Sequence, residues 1–125
     1  MKKNKYLITG GLGFIGSNLI RKLSLMQDVS IYNIDKVSYS SSKEALKDIK
    51  LNDYKFKKLN IVNRNKISDV INSFKPDYII HLAAESHVDR SIDNPDDFIK
   101  SNVVGTFNLL SEPHKYWKNY RLNLK

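Results

Sequence analysis

The sequence predicts an α/β protein built on a doubly wound parallel sheet. Short apolar runs rich in β-branched residues alternate with segments whose apolar residues recur at helical spacing. A glycine-rich turn separates the first apolar run from the first helical segment. Because right-handed crossovers join parallel strands, this alternation predicts a sheet with strand order 3-2-1-4. A chain of 125 residues is long enough for one small domain and too short for a two-domain enzyme.

The first two predicted strands lie on either side of the first predicted helix. Tyr6–Thr9 is the first strand and stops at Gly10. Val29–Ile34 is the second strand and ends at Asp35. Four apolar residues at helical spacing predict the helix between them: Ile15, Leu19, Ile20 and Leu23.

The third predicted strand is rich in lysine. Before it, Lys43–Ile49 predicts a short amphipathic helix. The strand covers Tyr54–Ile61, and its alternation slips by one residue, which predicts a bulge near Lys57 and Lys58. Lysines discourage pairing with another strand, so this strand is expected at an edge of the sheet.

The second half of the chain has one more predicted strand between two helices. Asn63 or Asn65 can cap the first of these helices, and Pro76 closes it. Tyr78–Leu82 is an almost continuous apolar run, typical of a strand covered on both faces. Glu85–Asp97 is a predicted polar loop. Apolar residues at helical spacing mark the two helices: Ile67, Val70, Ile71 and Phe74, then Ile99, Val103, Phe107 and Leu110.

Composition excludes several classes of function. Without cysteine, the chain has no disulfide framework, no cysteine-ligated metal and no thiol nucleophile, and we predict no metal site. The apolar runs are too short for a signal peptide or a membrane span, so we expect a cytoplasmic protein. The formal charge is +8, but the lysines are spread along the chain, which favours a solvated surface over nucleic-acid binding.

The strongest local signal is the glycine-rich turn Thr9–Gly16 between a strand and a helix. Gly10 permits the tight turn, Gly13 lets the backbone approach a pyrophosphate, and Gly16 lets the helix pack closely on the strand. The diphosphate would rest on the unpaired N–H groups of the helix N-terminus, where the helix dipole favours negative charge. A glycine-rich turn without a ligand is the alternative.

Asp35 supports nucleotide binding from the end of the second strand, nineteen positions after Gly16. A carboxylate there can accept hydrogen bonds from both ribose hydroxyls of an adenosine and would repel a 2′-phosphate, so it favours NAD over NADP. Lys36 weakens that preference slightly, and an ordinary strand-end aspartate is the alternative. Together the two signals predict a Rossmann fold, of which the chain carries the NAD-binding half.

We place a domain boundary near the end of the last predicted helix. Pro113 is expected to end or kink this helix, because proline lacks the backbone N–H and clashes with the preceding turn. Residues 1–112 are therefore assigned to the incomplete NAD-binding Rossmann domain and residues 113–125 to a basic C-terminal tail.

Several sequence blocks resemble a known family. The Gly-x-x-Gly-x-x-Gly spacing is similar to that of extended short-chain dehydrogenases/reductases, most of which act on nucleotide sugars. His81–Ile92, with the sequence HLAAESHVDRSI, resembles almost letter for letter the stretch after the fourth strand of dTDP-glucose 4,6-dehydratases. Asp35–Tyr39 and Phe98–Thr106 also resemble that subfamily, and the resemblance runs from about Lys5 to Trp117.

The resemblance implies NAD as the cofactor and assigns contacts to it. Phe14 and Ile15 would contact the diphosphate, and Asn60 and Ile61 the adenine. Ser101 would lie near the nicotinamide. Two further sets complete the implied cofactor site: Asp35, Lys36, Val37 and Ser38 on the adenosine ribose side, and Leu82, Ala83, Ala84, Glu85 and Ser86 at the nicotinamide half.

Other polar residues receive roles with an alternative beside each. Ser86 and His87 would contact the substrate by resemblance, although a surface-loop imidazole is the alternative for His87. His81 lies in an apolar run and is predicted to be a hydrogen-bonded core histidine. Asn102 resembles the helix asparagine that helps to hold the catalytic lysine in the wider superfamily, and a buried polar anchor is its alternative.

Two positions depart from the family pattern. The family usually has Asp where Asn60 stands and Thr where Ser101 stands. The carbonyl oxygen of Asn60 can still accept a hydrogen bond from the adenine amine, but it carries no charge. This departure predicts weaker cofactor binding.

The implied function is the NAD-binding part of a lyase that converts dTDP-glucose to dTDP-4-keto-6-deoxyglucose and water. The family's catalytic residues lie in a Thr-Asp-Glu run and a Tyr-x-x-x-Lys helix, and this sequence has neither after its fourth predicted strand. No catalytic residue is therefore assigned, and we expect a truncated chain that is inactive alone. The alternatives are another nucleotide-sugar epimerase or dehydratase, a non-catalytic NAD-binding module or remnant, and a basic nucleic-acid binder.

The resemblance also implies a homodimer, with contacts from the last helix. The fourth strand would have an open outer edge, because a fifth strand is missing. An open edge and an apolar helical stripe together predict self-association of the chain.

Overall fold

The computed structural model describes residues 2–39 and 41–123, which contain a four-stranded parallel sheet. Its strands are Asn4–Thr9 (β1), Val29–Asp35 (β2), Tyr54–Lys58 (β3) and Tyr78–His81 (β4). The order across the sheet is β3-β2-β1-β4, which confirms the predicted order. Strands β3 and β4 are therefore the two edges.

The strand register brings four polar residues to one end of the sheet. Thr9 at the end of β1 lies opposite Ile34 on β2 and opposite His81 on β4. Asp35 at the end of β2 lies opposite Lys58 on β3. Because all strand pairs are parallel, the carboxyl ends of the strands lie at the same end of the sheet, where open α/β sheets bind ligands.

Strand β3 ends earlier than predicted and has no bulge. Its register with β2 is continuous from Tyr54 to Lys58, so the predicted bulge near Lys57 and Lys58 is wrong. The backbone N–H of Leu59 still donates to the Asp35 carbonyl at 2.9 Å, and its side chain is buried. The slip in the alternation thus marks the place where the chain leaves the sheet. The predicted edge position is confirmed.

The helices alternate with the strands along the chain. The α-helices are Phe14–Leu23 (α1), Arg64–Phe74 (α2), Val88–Asp93 (α3), Pro95–Phe98 (α4) and Thr106–Asn123 (α5). A 3-10 helix covers Lys43–Leu46, shorter than the predicted helix, and a π-helical segment covers Ile99–Gly105. Helix α3 and part of α4 occupy the segment predicted as a polar loop.

Helix α5 does not end at Pro113. It continues to Asn123, so an end of the helix at Pro113 is wrong, and the kink that was the alternative stays a prediction. A proline inside a helix costs about 3 kcal/mol. Here the surrounding turn is buried at Leu109, Glu112 and Pro113, and this packing offsets the cost. The boundary between residues 112 and 113 lies inside α5 and stays a prediction.

The described chain forms two compact units. One comprises residues 2–39, 41–60 and 76–83, and holds the sheet, α1 and the 3-10 helix. The other comprises residues 61–75 and 84–123, in which α2 packs on α5. No helix within the described residues is long and apolar enough to cross a membrane. The core of the sheet unit is built from buried side chains: Ile8, Leu12, Ile20, Val29, Ile31 and Leu46.

Candidate nucleotide-binding site

The glycine turn after β1 has the geometry that its sequence predicts. Gly10 has φ of 71°, the left-handed region that favours glycine. A Cβ at Gly10 would lie 2.6 Å from the backbone nitrogen of Ala83. The turn is closed by a hydrogen bond from Gly13 N–H to the Gly10 carbonyl, at 3.1 Å. Strand β1 therefore turns sharply into α1 at this point.

The other two motif glycines differ in their surroundings. A Cβ at Gly16 would overlap the Gly10 carbonyl and lie 2.7 Å from the Gly11 Cα, so Gly16 is needed for close packing. A Cβ at Gly13 would meet, among the described residues, the Gly10 carbonyl oxygen at 3.3 Å. This single contact is tight, and apart from the chain neighbours of Gly13 no other described atom lies within 4 Å of the Cβ position. Gly13 therefore borders a largely open region at the N-terminus of α1, as a pyrophosphate cradle requires.

The N-terminus of α1 is exposed and carries no compensating acid. Gly13 is the N-cap, and the first turn contains no acidic residue. The first N–H groups of a helix lack intrahelical acceptors and favour an anion. Phe14 and Ile15 are 85% and 67% exposed, although both are apolar. These side chains are thus open for contact with a ligand.

Asp35 joins the end of β2 to the glycine turn. It is buried, and its Oδ2 accepts a hydrogen bond from the Leu12 N–H at 3.0 Å. Its Oδ1 accepts from the Val37 N–H at 2.8 Å and from the Ser41 hydroxyl at 3.1 Å. A carboxylate offers about four acceptor positions, so about one remains for a ribose hydroxyl. The sequence predicts that Asp35 accepts from both ribose hydroxyls, and acceptance from two stays a prediction.

The loop after β2 is held in an uncommon backbone conformation. Val37 has φ of 60°, which is rare for a β-branched residue. Its N–H bond to Asp35 fixes this conformation, and Ser38 N–H donates to the Ser41 hydroxyl at 3.1 Å. Lys36 lies in the same loop and is partly buried. The predicted ribose-side residues thus form one loop organised by Asp35.

The residues predicted to contact adenine differ in exposure. Asn60 follows β3 and is exposed, whereas Ile61 is buried. The Ile61 carbonyl accepts a hydrogen bond from Asn108 Nδ2 at 2.9 Å, and a Cβ at Gly105 would lie 2.5 Å from the Ile61 side chain. Ile61 is therefore a packing residue in its own unit, and contact with adenine stays a prediction for both residues.

A hydrogen-bond cluster holds the ends of β1 and β4 together. Thr9 is fully buried, and its Oγ1 lies 2.6 Å from Nδ1 of His81. The same Oγ1 accepts from the N–H groups of Leu82 and Ala83, each at 3.2 Å. Burial lowers the pKa of His81. His81 is hydrogen-bonded and half-buried, as predicted from its place in an apolar run.

The remaining predicted residues lie in the second unit. Ala84, Ser86 and His87 are exposed, and Ser101 is buried. The predicted roles of these four residues toward nicotinamide or substrate stay predictions.

The Asn102 amide makes two hydrogen bonds to the backbone of one residue. Glu85 N–H donates to Asn102 Oδ1 and Asn102 Nδ2 donates to the Glu85 carbonyl, both at 2.9 Å. Asn102 is exposed, so it is a polar anchor that is not buried. Its position fixes the backbone of Glu85, a predicted nicotinamide-side residue.

Asn33 supports the glycine turn from β2, and no motif in the sequence indicates this role. It is fully buried, and its Oδ1 accepts from the Gly11 N–H at 3.1 Å. Its Nδ2 donates to the Tyr54 hydroxyl at 3.1 Å, and burial raises the pKa of Tyr54. A Cβ at Gly11 would overlap the Asn33 side chain. The signal that could have found Asn33 is an amide side chain inside an apolar strand.

Comparison with known proteins identifies the family. Residues 7–124 match the family model described as GDP-mannose 4,6 dehydratase. The chain belongs to this family. The resemblance to dTDP-glucose 4,6-dehydratases that the sequence indicates is confirmed by relatives of that name.

Two relatives carry the name dTDP-glucose 4,6-dehydratase. The chain is 45% identical over 122 residues to a probable dTDP-glucose 4,6-dehydratase from Sinorhizobium fredii, covering 97% of this chain and 35% of that protein. It is 47% identical over 114 residues to dTDP-glucose 4,6-dehydratase from Escherichia coli, covering 90% of this chain and 32% of that protein. The chain thus spans about a third of the length of these relatives.

A solved structure confirms the fold. The dTDP-glucose 4,6-dehydratase from Bacillus anthracis, in complex with NAD, superposes with a TM-score of 0.77 at 34% sequence identity. The match covers 90% of this chain and 34% of that one. The NAD-binding half of the Rossmann fold predicted from the glycine turn and the strand pattern is therefore confirmed.

Proposed function

We propose that this chain is the NAD-binding part of a nucleotide-sugar dehydratase that acts on dTDP-glucose. The observation that carries the proposal is the open glycine turn, in which Gly13 leaves space before the exposed N-terminus of α1. Asp35, at the end of β2, is connected to the same turn by the hydrogen bond that it accepts from the Leu12 N–H. This arrangement offers N–H donors for a diphosphate and an acceptor for a ribose hydroxyl.

The residues at the carboxyl ends of the strands fit the adenosine half and the nicotinamide half of NAD. Phe14 and Ile15 would cover the diphosphate, and the loop 35–38 would hold the adenosine ribose. The ends of β1 and β4 would support the nicotinamide half at Leu82 and Ala83. The buried Asp35 carboxylate would repel a 2′-phosphate, so NAD is preferred over NADP. When bound, the oxidised cofactor would accept a hydride from the sugar, and the reduced cofactor would return it later in the family's reaction.

We infer that turnover needs residues that this sequence does not provide. After β4, no tyrosine is followed four positions later by lysine, and no Thr-Asp-Glu run occurs. The chain alone would therefore bind the cofactor without converting the sugar nucleotide. Ser86 and His87 would contact substrate when the missing groups are supplied.

We also propose that the chain self-associates through an apolar stripe on its C-terminal helical segments. The stripe consists of Ile99, Val103, Phe107 and Leu110, and each of these side chains is more than half exposed. The buried residues of the same segments include polar ones, Ser101 and Asn108, beside Leu109. An exposed apolar stripe of this kind favours association, here into a homodimer.

Calorimetric titration tests the cofactor proposal. NAD should bind saturably to the purified chain and NADP more weakly, and mixing the chain with dTDP-glucose and saturating NAD should give no 4-keto-6-deoxy product. Absence of NAD binding would refute the proposed function. Product from the chain alone would show instead that catalysis needs no further residues.

A further inference from the structure

The Thr9 hydroxyl has three hydrogen-bond neighbours, and their chemistry fixes the direction of each bond. The N–H groups of Leu82 and Ala83 can only donate, and both point to Oγ1 at 3.2 Å. The Leu82 N–H is shared with the Thr9 carbonyl oxygen at 3.0 Å, whereas the hydroxyl is the acceptor of the Ala83 N–H. A hydroxyl oxygen has two lone pairs and one proton. With both lone pairs accepting, its proton is directed to the third neighbour, Nδ1 of His81 at 2.6 Å.

This bonding pattern selects one form of the histidine. Nδ1 must be an acceptor, so His81 is neutral and carries its proton on Nε2. The environment agrees, because burial disfavours the charged imidazolium. A proton on Nδ1 would face the hydroxyl with a third donor, which would compete with the Leu82 and Ala83 N–H groups for the two lone pairs of Oγ1.

We propose that His81 is a positioning residue that acts through Thr9 to hold the backbone of Leu82 and Ala83 at the end of β4. The backbone so held is tightly placed against the glycine turn, since a Cβ at Gly10 would lie 2.6 Å from the Ala83 nitrogen. This inference rests on the proposed function where it concerns NAD, because Leu82 and Ala83 are assigned there to the nicotinamide half. The hydrogen-bond relay itself is independent of any ligand.

Nuclear magnetic resonance of the full chain tests the relay without NAD. In protein labelled with 15N-histidine, Nδ1 of His81 should resonate as an unprotonated acceptor and Nε2 as a protonated nitrogen. Thr9→Val, which keeps the side-chain shape and removes the hydroxyl, should speed amide exchange at Ala83 by about tenfold, the scale of one lost hydrogen bond. Thr9→Ser should keep both the tautomer and the slow exchange.

Variants of His81 provide a second measurement should Thr9→Val fail to fold. His81→Asn can place an amide oxygen where Nδ1 stands, and His81→Leu cannot accept a hydrogen bond. We expect slow exchange at Ala83 in the first variant and about tenfold faster exchange in the second. NAD affinity should follow the same order, with Thr9→Val and His81→Leu about tenfold weaker than wild type.

The outcomes separate this proposal from the proposed function. A proton on Nδ1 in the wild-type chain, or equal exchange in Thr9→Val and Thr9→Ser, would overturn the relay. The expected tautomer and exchange rates in a chain that does not bind NAD would support the relay and refute the NAD site. Normal NAD binding in His81→Leu, with unchanged exchange at Ala83, would overturn the role of His81.

Discussion

Asn33 on β2 accepts a hydrogen bond from the backbone N–H of Gly11 through its Oδ1, at 3.1 Å. The other end of the amide donates to the Tyr54 hydroxyl at 3.1 Å, which fixes the orientation of the side chain. All three groups belong to the sheet unit, and Asn33 is fully buried. A residue outside the glycine motif thus holds the motif's second glycine in place.

Asn33→Leu should destabilise the fold by about 2 to 4 kcal/mol, because it leaves a buried N–H and a partly buried hydroxyl without their partner. The free energy of unfolding in urea measures this loss. Asn72→Ala is the matched control, since Asn72 is exposed and should cost about 0.5 kcal/mol or less. Equal midpoints for the two variants would contradict the support of the turn by Asn33.

Gly13→Val should abolish NAD binding and leave the fold largely intact. The valine Cβ would lie 3.3 Å from the Gly10 carbonyl oxygen, which a small shift accommodates, and the rest of the side chain would occupy the region where the pyrophosphate is proposed to lie. Calorimetric titration measures the binding, and circular dichroism checks the fold. Gly16→Val is the contrasting variant and should unfold the chain, because its Cβ would overlap the Gly10 carbonyl. An unchanged dissociation constant in Gly13→Val would refute the phosphate cradle.

Asp35→Ala should weaken NAD binding by about 1 to 3 kcal/mol, the scale for hydrogen bonds to a charged group. It should also lower stability, since Leu12, Val37 and Ser41 lose their acceptor. Titrations with NAD and NADP measure the first effect. Asp69→Ala, at an exposed position on α2, is the control. If NADP binds as well as NAD to wild type and Asp35→Ala changes neither, the ribose assignment is wrong.

The stability of the chain should depend on pH through Glu112. The hydrogen bond from Arg64 Nε, at 2.5 Å, holds the pKa of this carboxyl below its ordinary value of 4.5. The unfolded state therefore binds the proton first, so the stabilisation is complete above about pH 4.5 and is lost as the pH falls through the folded pKa.

Glu112→Gln provides the measurement for this ion pair. Near neutral pH this substitution should lower the free energy of unfolding by about 1 kcal/mol. The loss is small because Arg64 is partly exposed and solvent screens the ion pair. The gap in urea midpoint between wild type and Glu112→Gln should close as the pH falls below the folded pKa. A gap that is constant from neutral to acid pH would show that the charge of Glu112 does not contribute.

His81 should give a second pH dependence, of the same sign. Burial places its folded pKa below the ordinary value of 6.5, so in the window between the two values the unfolded state binds more protons. The contribution of His81 to the free energy of unfolding is therefore complete above pH 6.5 and decreases as the pH falls through this window. Urea midpoints of wild type and His81→Asn across the window measure it. A slope that persists unchanged in His81→Asn would assign the effect to another group.

Charges on the apolar stripe should reduce self-association of the chain. Phe107→Glu and Leu110→Glu together place two carboxylates on the exposed stripe, and light scattering should show a shift toward monomer. Leu122→Glu is the matched control, because Leu122 is an exposed apolar residue of α5 outside the stripe. A wild-type chain that is monodisperse and monomeric at micromolar concentration would contradict the proposed association.

The sequence alone determined the features of this protein that depend on short stretches of chain. The alternation of apolar runs and helical spacing predicted all four strands and their order, because crossover handedness leaves few topologies. The glycines from Gly10 to Gly16 predicted the turn at which a nucleotide is proposed to bind. The left-handed φ of Gly10 and the close packing of Gly16 each require glycine at one position of a short segment.

Only the tertiary structure decided the features that depend on residues distant in sequence. The contacts of Asn33 with Gly11 and of Thr9 with His81 join different strands, and no local pattern specifies which polar group will meet which. Spacing predicted that Phe107 and Leu110 belong to one helix, which α5 confirms, yet both are exposed and the buried residues of α5 include Asn108 and Glu112 beside Leu109. Spacing determines which residues share a face, whereas burial depends on the elements that pack against it.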